Sequence, residues 1–390
     1  MSTPILNAEE RERRWKKIRE AMGKSGLGCL VVVGTFGRHR DLYANLRYLS
    51  NADPVSTEGY LVFPLEGEPT LITFHGRPHP SWIEDNRSGH PTYSKAISER
   101  LRELHLENAS IGVVGLSGYY GELGFSYATY VSLNSNFPGA KFEDATDIVV
   151  EARRIKSPAE IRCFELGCEV GEKVIQAIID TAKVGVTDQE IKLKVMDTVF
   201  RNGCDFASML FLGAGKELTH GGQIPLQSPP RALEHGDVIL TEFDARYSGY
   251  MAQFNQPFSL GEPSQEWRKI FNVALEAFNN GFKTLRSGIT AGELDEAFIS
   301  PIREAGYART NPAFHGLGLS LEEPIGDYPR QPYHKPNTSL KMEIGMVLEF
   351  EPSVVTSDRK KGLTLGSPVL VTETGCRLLS KSWRPDFKIA

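Results

Sequence analysis

The sequence predicts an α/β unit at the N terminus followed by a larger α+β domain. Three observations carry this prediction. The chain has 390 residues, which suits two or three domains at roughly 100–200 residues each. In about the first 150 residues, apolar runs of strand length alternate with amphipathic helical patterns. Farther along, helical patterns come in pairs ahead of groups of strands, which favours α+β over a doubly wound sheet.

The N-terminal unit is expected to open with a helix at about residues 8–24, which ends at Ser25-Gly26. The apolar run at 27–33 then predicts a buried strand. Further elements are expected as strands at about 59–64, 69–74 and 110–114 and a helix at about 94–106. This order predicts a sheet with helices on its faces.

The domain boundary is placed at residues 152 and 153, where a charged segment precedes Pro158 and a long helical pattern. We therefore predict domains at 1–152 and 153–390. The second domain is expected to contain helices at about 158–182, 188–202, 264–286 and 291–305, and strands at about 206–212, 237–244, 248–258, 314–319, 346–355 and 365–372. Two rounds of helix, helix and strands indicate an internal structural duplication.

Composition excludes several classes of protein. With 44 Lys+Arg against 49 Asp+Glu, the net charge is −5, which argues against a general nucleic-acid binder because such a protein needs a basic surface. The five cysteines are scattered and match no disulfide framework or metal knuckle. The first residues are charged, and no apolar span approaches membrane length. We expect a cytoplasmic protein that acts on a small molecule, without nucleic-acid or membrane partners.

Common catalytic motifs are missing from the sequence. The segment around Lys216 lacks the spacing of a phosphate loop, and no dinucleotide fingerprint, nucleophile elbow or zinc-binding HExxH pair occurs. What remains is a set of histidines and acidic residues in the C-terminal half: His220, Glu242, Asp244, His315, Glu322, Glu323 and Glu351. His315 and Glu351 are the most informative, because each interrupts an apolar strand where an ionisable group is costly without a partner or a function.

Three segments, at 236–250, 315–318 and 345–352, together resemble the creatinase, prolidase and methionine aminopeptidase family. The resemblance implies a pita-bread catalytic domain at 153–390 with pseudo-duplicated halves. It also implies a creatinase/prolidase-type α/β domain at 1–152. Creatinase-type enzymes are homodimers in which one chain's N-terminal domain borders the partner's site. In such a dimer, His75, His79 or Trp82 would reach the partner's pocket.

The metal-ligand pattern of this family is incomplete here. The dinuclear peptidases use Asp, Asp, His, Glu and Glu, and the matching positions are Glu242, Gln253, His315, Glu351 and Gly366. Gln253 is neutral and Gly366 has no side chain, so two carboxylates of a two-metal site are lost. Glu322 replaces the second histidine of the family pattern. The resemblance is therefore closest to the metal-independent creatinase-like branch, which implies no cofactor.

The leading hypothesis is a creatinase-like hydrolase that cleaves a non-peptide C–N bond of an amidine, guanidine or cyclic amide. His220 matches the general acid and base of that branch, and an imidazole suits proton transfer near neutral pH. His315 and Glu351 complete the predicted catalytic group. The predicted substrate-binding residues are Glu242, Asp244, Glu322 and Gln253.

Three alternatives remain open. The first is a hydrolase or lyase with one iron, manganese or zinc ion on Glu242, Asp244, His315 and Glu351, an oxygen-rich set with one imidazole. The second is an Xaa-Pro peptidase-like protein. The third is an inactive protein that only binds peptides.

Overall fold

The structure of the chain is a computed structural model that describes residues 5–35, 43–52, 58–76, 81–116, 124–204, 206–219, 230–320, 323 and 338–389. It forms two compact units. The N-terminal unit runs as far as Arg154 and includes Leu319, Ser320 and Glu323. The C-terminal unit contains the other described residues. The predicted boundary at residues 152 and 153 stays a prediction.

The N-terminal unit is a six-stranded mixed sheet with helices, as predicted. In chain order its elements are α1 (Ala8–Lys24), β1 (Cys29–Thr35), α2 (Ala44–Ser50), β2 (Glu58–Pro64), β3 (Thr70–Thr73), β4 (Asp85–Ser88), α3 (Tyr93–Glu103), β5 (Ser110–Val114), α4 (Tyr127–Asn136), β6 (Lys141–Asp144) and α5 (Thr146–Arg154). The strand order is β4-β3-β2-β1-β5-β6. Strand β1 lies inside the sheet because its apolar residues 29–33 are buried on both faces.

The C-terminal unit follows the predicted order of paired helices and strands. Its elements are α6 (Pro158–Thr181), α7 (Asp188–Arg201), β7 (Phe206–Gly215), β8 (Val238–Tyr247), β9 (Tyr250–Ser259), α8 (Gln265–Thr284), α9 (Ala291–Glu304), β10 (Phe314–Gly316), β11 (Val347–Phe350), β12 (Ser353–Val355), β13 (Gly362–Thr364), β14 (Ser367–Thr372), β15 (Gly375–Leu378) and β16 (Lys388–Ile389). Sheets form in the orders β16-β9-β8-β7, β10-β11-β14-β15 and β12-β13.

One predicted strand, at about 346–355, is divided in two. Strand β11 ends at Phe350 and β12 begins at Ser353. Pro352 lies in the gap, and proline has no N–H with which to continue a ladder. The interruption leaves Glu351 just beyond the end of β11.

The internal duplication is visible in the helix starts of the C-terminal unit. Helices α7 and α9 both begin with a capping box, in which a threonine side chain accepts from the N3 amide and the N3 glutamate accepts from the cap N–H. The pairs are Thr187 with Glu190, and Thr290 with Glu293. Equivalent four-residue caps in both halves are a short repeat in the sequence itself.

The turns ahead of these helices repeat as well. Gly185 and Gly288 have φ angles of +90° and +89°, a region that favours glycine. The N–H of Gly185 donates to the Leu233 carbonyl, and that of Gly288 donates to the Met342 carbonyl. The two halves therefore repeat the same turn, with a glycine at positive φ whose N–H donates to a carbonyl ahead of the following strand.

Helix α6 packs closely on the sheet because it presents glycines to the strands. A Cβ atom on Gly171 would lie 2.1 Å from the Phe254 ring, and one on Gly167 would lie 2.9 Å from the Ala245 carbonyl oxygen. This close approach fixes β8 and β9 under the helix. None of the helices in the described ranges is both long and apolar enough to cross a membrane.

Candidate functional site

His315 and Glu349 are cross-strand neighbours in the sheet of β10 and β11. Opposite residues of an antiparallel pair project from the same face, with Cβ atoms roughly 4.5–5.5 Å apart. Glu351 is two residues beyond Glu349, and side chains two apart in an extended chain share a face. The N–H of Glu351 donates to the Ala313 carbonyl at 2.8 Å, which holds this residue beside β10. One imidazole and two carboxylates are thus brought together.

A second row of polar side chains comes from β8 and β9. Glu242 lies opposite Asn255, and Asp244 lies opposite Gln253. The Gln253 amide donates from Nε2 to Glu242 Oε1 at 2.9 Å, which orients that carboxylate. Gln253 was predicted to contact substrate, but in the structure it is buried and holds Glu242.

Asn255 and Gly366 join the two rows. Each donates its backbone N–H to the carbonyl of the other, at 3.1 and 2.8 Å. This bridge sets the segment before β14 against β9, and β14 in turn pairs with β11. The site therefore draws on both halves of the duplicated unit, as the sequence pattern predicts.

The ring of His315 has a defined tautomer. Its Nδ1 lies 2.9 Å from the Gly316 carbonyl oxygen, and a carbonyl only accepts, so Nδ1 carries the hydrogen. Burial lowers the pKa of His315, and the Gly316 hydrogen bond and the Glu242 charge offset only part of that effect. The neutral ring then presents the lone pair of Nε2 to Glu351, whose Oε1 is 3.6 Å away. A lone pair facing a carboxylate needs a cation or a proton between them.

Glu349 is a fully enclosed acidic side chain at the site, as is Asp244. It is 0% exposed, and neither carboxylate oxygen has a hydrogen-bond partner among the described residues. Burial raises the pKa of Glu349 well above its usual value, and the charges of Glu351 and Glu242 raise it further. The neighbouring Asn255 amide offsets part of the rise. A raised pKa favours the protonated carboxyl, which avoids the cost of a buried charge.

Asp244 has a different environment from the one predicted. Its carboxylate accepts from Arg246 Nε at 2.5 Å, and both side chains are buried. Residues 244 and 246 share a face of β8 because they are two apart. The ion pair occupies the carboxylate that was expected to bind substrate or metal.

Two predicted site residues, His220 and Glu322, lie outside the described residues, as does His79. His75 is described and is exposed next to Phe74. Trp82 is half-buried, and the Arg14 guanidinium lies over its ring at 5.1 Å. The role of His75 and Trp82 at a partner's site stays a prediction.

Glu349 and Asn255 are site residues that the sequence reasoning missed. A signal for Glu349 exists, because glutamates at 349 and 351 alternate with apolar residues and so share one face of a strand. Asn255 has no comparable signal. Its position follows from the bridge to Gly366, a long-range contact that no local pattern encodes.

Comparison with protein families gives two matches. Residues 162–373 match metallopeptidase family M24, and residues 14–155 match the creatinase/prolidase N-terminal domain. Two curated relatives are Xaa-Pro dipeptidases. The one from Pyrococcus horikoshii is 24% identical over 95% of this chain and 97% of its own length. The one from Pyrococcus furiosus is 28% identical over 87% of this chain and 92% of its own length.

Solved structures agree on the fold. The prolidase from Pyrococcus horikoshii has a TM-score of 0.74 at 23% identity, and covers 95% of this chain and 99% of its own. The X-Pro aminopeptidase from Thermotoga maritima has a TM-score of 0.78 at 21% identity, and covers 96% of this chain and 99% of its own. The pita-bread fold with a creatinase/prolidase-type N-terminal domain is confirmed.

Family M24 is a metallopeptidase family and so implies a metal. In the described ranges, no three His, Cys, Asp or Glu side chains are packed closely enough to form a ready-made metal site. The closest pair of such donors that bears on a metal is His315 Nε2 and Glu351 Oε1, 3.6 Å apart. Imidazole with carboxylates suits iron, manganese or zinc. Without acidic side chains at Gln253 and Gly366, the paired carboxylates of a two-metal site are not reproduced.

These comparisons correct two predictions. The leading hypothesis of a metal-independent hydrolase of non-peptide C–N bonds was wrong, because the matching family is one of metallopeptidases and the curated relatives are Xaa-Pro dipeptidases. The expectation of no cofactor was wrong for the same reason. The loss of two ligand positions was read as the loss of all metal binding. His315 and Glu351 are nevertheless retained, with Nε2 and Oε1 3.6 Å apart.

Proposed function

The chain belongs to metallopeptidase family M24, and from this premise we propose that it is a hydrolase of the amide C–N bond in small, dipeptide-like substrates. The Xaa-Pro dipeptidases that resemble it over most of its length support a substrate of this size and kind. We propose that one divalent cation assists the reaction, with His315 and Glu351, whose Nε2 and Oε1 atoms are 3.6 Å apart, among its ligands.

The observation that carries this proposal is the orientation of the His315 ring. A metal-binding histidine typically donates its other ring N–H to a carbonyl or carboxylate, which fixes the tautomer. His315 does this through Nδ1 and the Gly316 carbonyl, and its Nε2 is left to face Glu351. Since the pKa of His315 is lowered by burial, the ring is neutral at pH 7 and its lone pair is available.

The other groups of the site serve this arrangement. Gln253 holds the Glu242 carboxylate through a hydrogen bond of 2.9 Å. A bound divalent cation supplies Lewis-acid polarisation of the scissile carbonyl. Glu351 is 6% exposed whereas Glu349 is fully enclosed, so water reaches Glu351 more readily.

Hydrolysis of a panel of dipeptides tests the proposal. Protein dialysed against chelator is assayed on Xaa-Pro and Xaa-Ala dipeptides, with and without added manganese, cobalt or zinc. Release of free amino acid is expected only with added cation. The substitution Glu351→Gln should lower kcat at least about 100-fold, because it removes a proposed cation ligand.

The matched control is Glu373→Gln, which changes an exposed glutamate in the same unit. It should leave the rate unchanged. Absence of hydrolysis for every dipeptide under every cation would overturn the proposed reaction. Equal rates for wild type and Glu351→Gln would overturn the role of Glu351.

A further inference from the structure

Glu242 is the acidic residue of the site that solvent reaches most readily. It is half-buried, whereas Asp244, Glu349 and Glu351 are each buried. Asp244 is also neutralised by Arg246 in a buried ion pair. Of these four acidic residues, Glu242 is therefore the one that offers an accessible carboxylate to a substrate entering from solvent.

The Glu242 carboxylate has a fixed direction because β9 supplies a partner for it. Gln253 donates from Nε2 to Glu242 Oε1 at 2.9 Å. The oxygen of the same amide, Gln253 Oε1, is buried and has no donor among the described residues. Oε1 and Nε2 share one carbon, so a single donor group bound at the carboxylate can also reach this oxygen. The two residues together favour a ligand with several N–H donors.

Glu242 also lies near His315. Burial lowers the pKa of His315, and the negative charge of Glu242 offsets part of that effect. Charges act on a pKa in this way over roughly 4–6 Å. In a dipeptide, the α-nitrogen and the scissile carbonyl carbon are both bonded to Cα and are roughly 2.5 Å apart. A group that binds the α-nitrogen must therefore lie close to the group that acts on the carbonyl, and Glu242 meets this condition.

We propose that Glu242 binds the α-ammonium group of the substrate, so that the chain acts on dipeptides with a free amino terminus. This inference rests on the proposed function, since it needs an amide bond to be cleaved beside His315. An ammonium group has three N–H donors and a positive charge, and a carboxylate binds such a group by charge-assisted hydrogen bonds. Gln253 is then a positioning residue that orients the carboxylate without adding charge.

Two substrates that differ only in the ammonium group test this assignment. Alanyl-proline carries the group, and propionyl-proline has the same carbon skeleton without it. With wild type and added cation, kcat/KM for alanyl-proline should be higher by at least about tenfold, the scale of one hydrogen bond to a charged group. If propionyl-proline is bound without being cleaved, its inhibition constant is compared with the KM of alanyl-proline.

Glu242→Gln keeps the shape of the side chain and removes its charge. It should raise the KM for alanyl-proline by at least about tenfold and leave propionyl-proline nearly unaffected, because only alanyl-proline has the group that Glu242 contacts. Glu373→Gln, on the exposed surface, should behave as wild type with both compounds. Urea unfolding establishes that each variant is folded.

Co²⁺ absorption separates a role in substrate binding from a role as a cation ligand. Chelator-treated protein is titrated with Co²⁺, whose visible spectrum reports its ligands. Glu242→Gln should give the spectrum of wild type, because the carboxylate contacts the substrate and not the cation. A changed spectrum would make Glu242 a cation ligand and would overturn its assignment to the ammonium group.

The outcomes separate this inference from the proposed function. If wild type treats the two compounds alike, or if Glu242→Gln impairs both to the same extent, Glu242 does not bind the ammonium group, while the proposed function stands. If wild type cleaves no dipeptide under any cation, the proposed function fails and this inference fails with it. A loss confined to alanyl-proline, with an unchanged Co²⁺ spectrum, supports the assignment.

Discussion

Glu349 faces His315 across β10 and β11, as direct partners in the antiparallel register. The pairing puts a fully buried carboxylate with two orphaned oxygens beside a neutral imidazole whose Nε2 lone pair points into the same acidic group.

Gly366→Ala is expected to destabilise the protein by about 2 kcal/mol, the usual scale for overpacking a tight interior. The added methyl would lie 2.4 Å from the Phe350 carbonyl oxygen, so the backbone must move. Urea unfolding measures the change. Gly215→Ala is the matched control, because its Cβ would meet only the Glu217 carbonyl oxygen at an ordinary 3.5 Å. Equal stability of the two variants would contradict the packing described at Gly366.

Asp244→Asn should lower the free energy of unfolding and leave Co²⁺ affinity unchanged. His315→Ala should weaken Co²⁺ binding and leave the free energy of unfolding unchanged. Asp244 neutralises Arg246 in a buried pair, and removing one charge from such a pair costs roughly 3–5 kcal/mol. Among the described residues, His315 Nδ1 donates to the Gly316 carbonyl, and we propose that its Nε2 binds the cation. Urea unfolding and Co²⁺ titration on both variants check the contrast. A large loss of affinity in Asp244→Asn would restore Asp244 as a ligand.

Glu323→Ala is expected to destabilise the N-terminal unit by about 3 kcal/mol. Glu323 binds Arg153 at 2.7 Å with both side chains buried, and it also accepts from the Leu319 N–H at 3.0 Å. Removing one partner leaves a buried charge without its counterpart. As a control, Glu296→Ala breaks the exposed pair with Arg303 and should have no measurable effect on the urea midpoint.

Glu10 gives a prediction on pH. Burial alone raises the pKa of Glu10, but hydrogen bonds and charges from Arg13 and Arg14 outweigh it and hold that pKa below the usual 4.5. A lowered pKa contributes stability that is present above the unfolded value and is lost as pH falls through the folded value. Glu10→Gln should therefore be less stable than wild type at pH 7, by about 1 kcal/mol.

The same difference should shrink below about pH 4.5, where the wild-type carboxylate takes up its proton. Unfolding by urea at a series of pH values from about 7 to 3 measures it for both proteins. A stability difference that stays constant across this range would show that the Arg13 and Arg14 contacts do not stabilise the charged form of Glu10.

Much of the C-terminal unit could be predicted from the sequence because its signals are local. Helices α7 and α9 begin at capping boxes that are written in four consecutive residues, and the structure places both starts where expected. The sequence also singled out His315 and Glu351, because each interrupts an apolar strand. Short elements such as α2 and β4 were not predicted, since 7 and 4 residues carry too little periodicity.

The errors at the site have a common cause in long-range geometry. From the sequence, Gly366 is simply a position where the family's ligand is missing. The Glu349 side chain lies beside this position because of the register of β11 and β14, which the sequence near residue 366 does not reveal. Asp244 looked like an available acid, although Arg246 two residues away could have indicated its partner. Local sequence patterns show which residues are unusual. The register of the strands determines which other residues they contact.

The number of divalent cations bound per chain tests the central claim most directly. Protein saturated with Mn²⁺, freed of excess by gel filtration and analysed by elemental mass spectrometry should contain one equivalent per chain. Glu351→Gln and His315→Ala should each retain far less. Two equivalents would contradict the single-cation site, and none in the wild type would contradict the cation-assisted hydrolase itself.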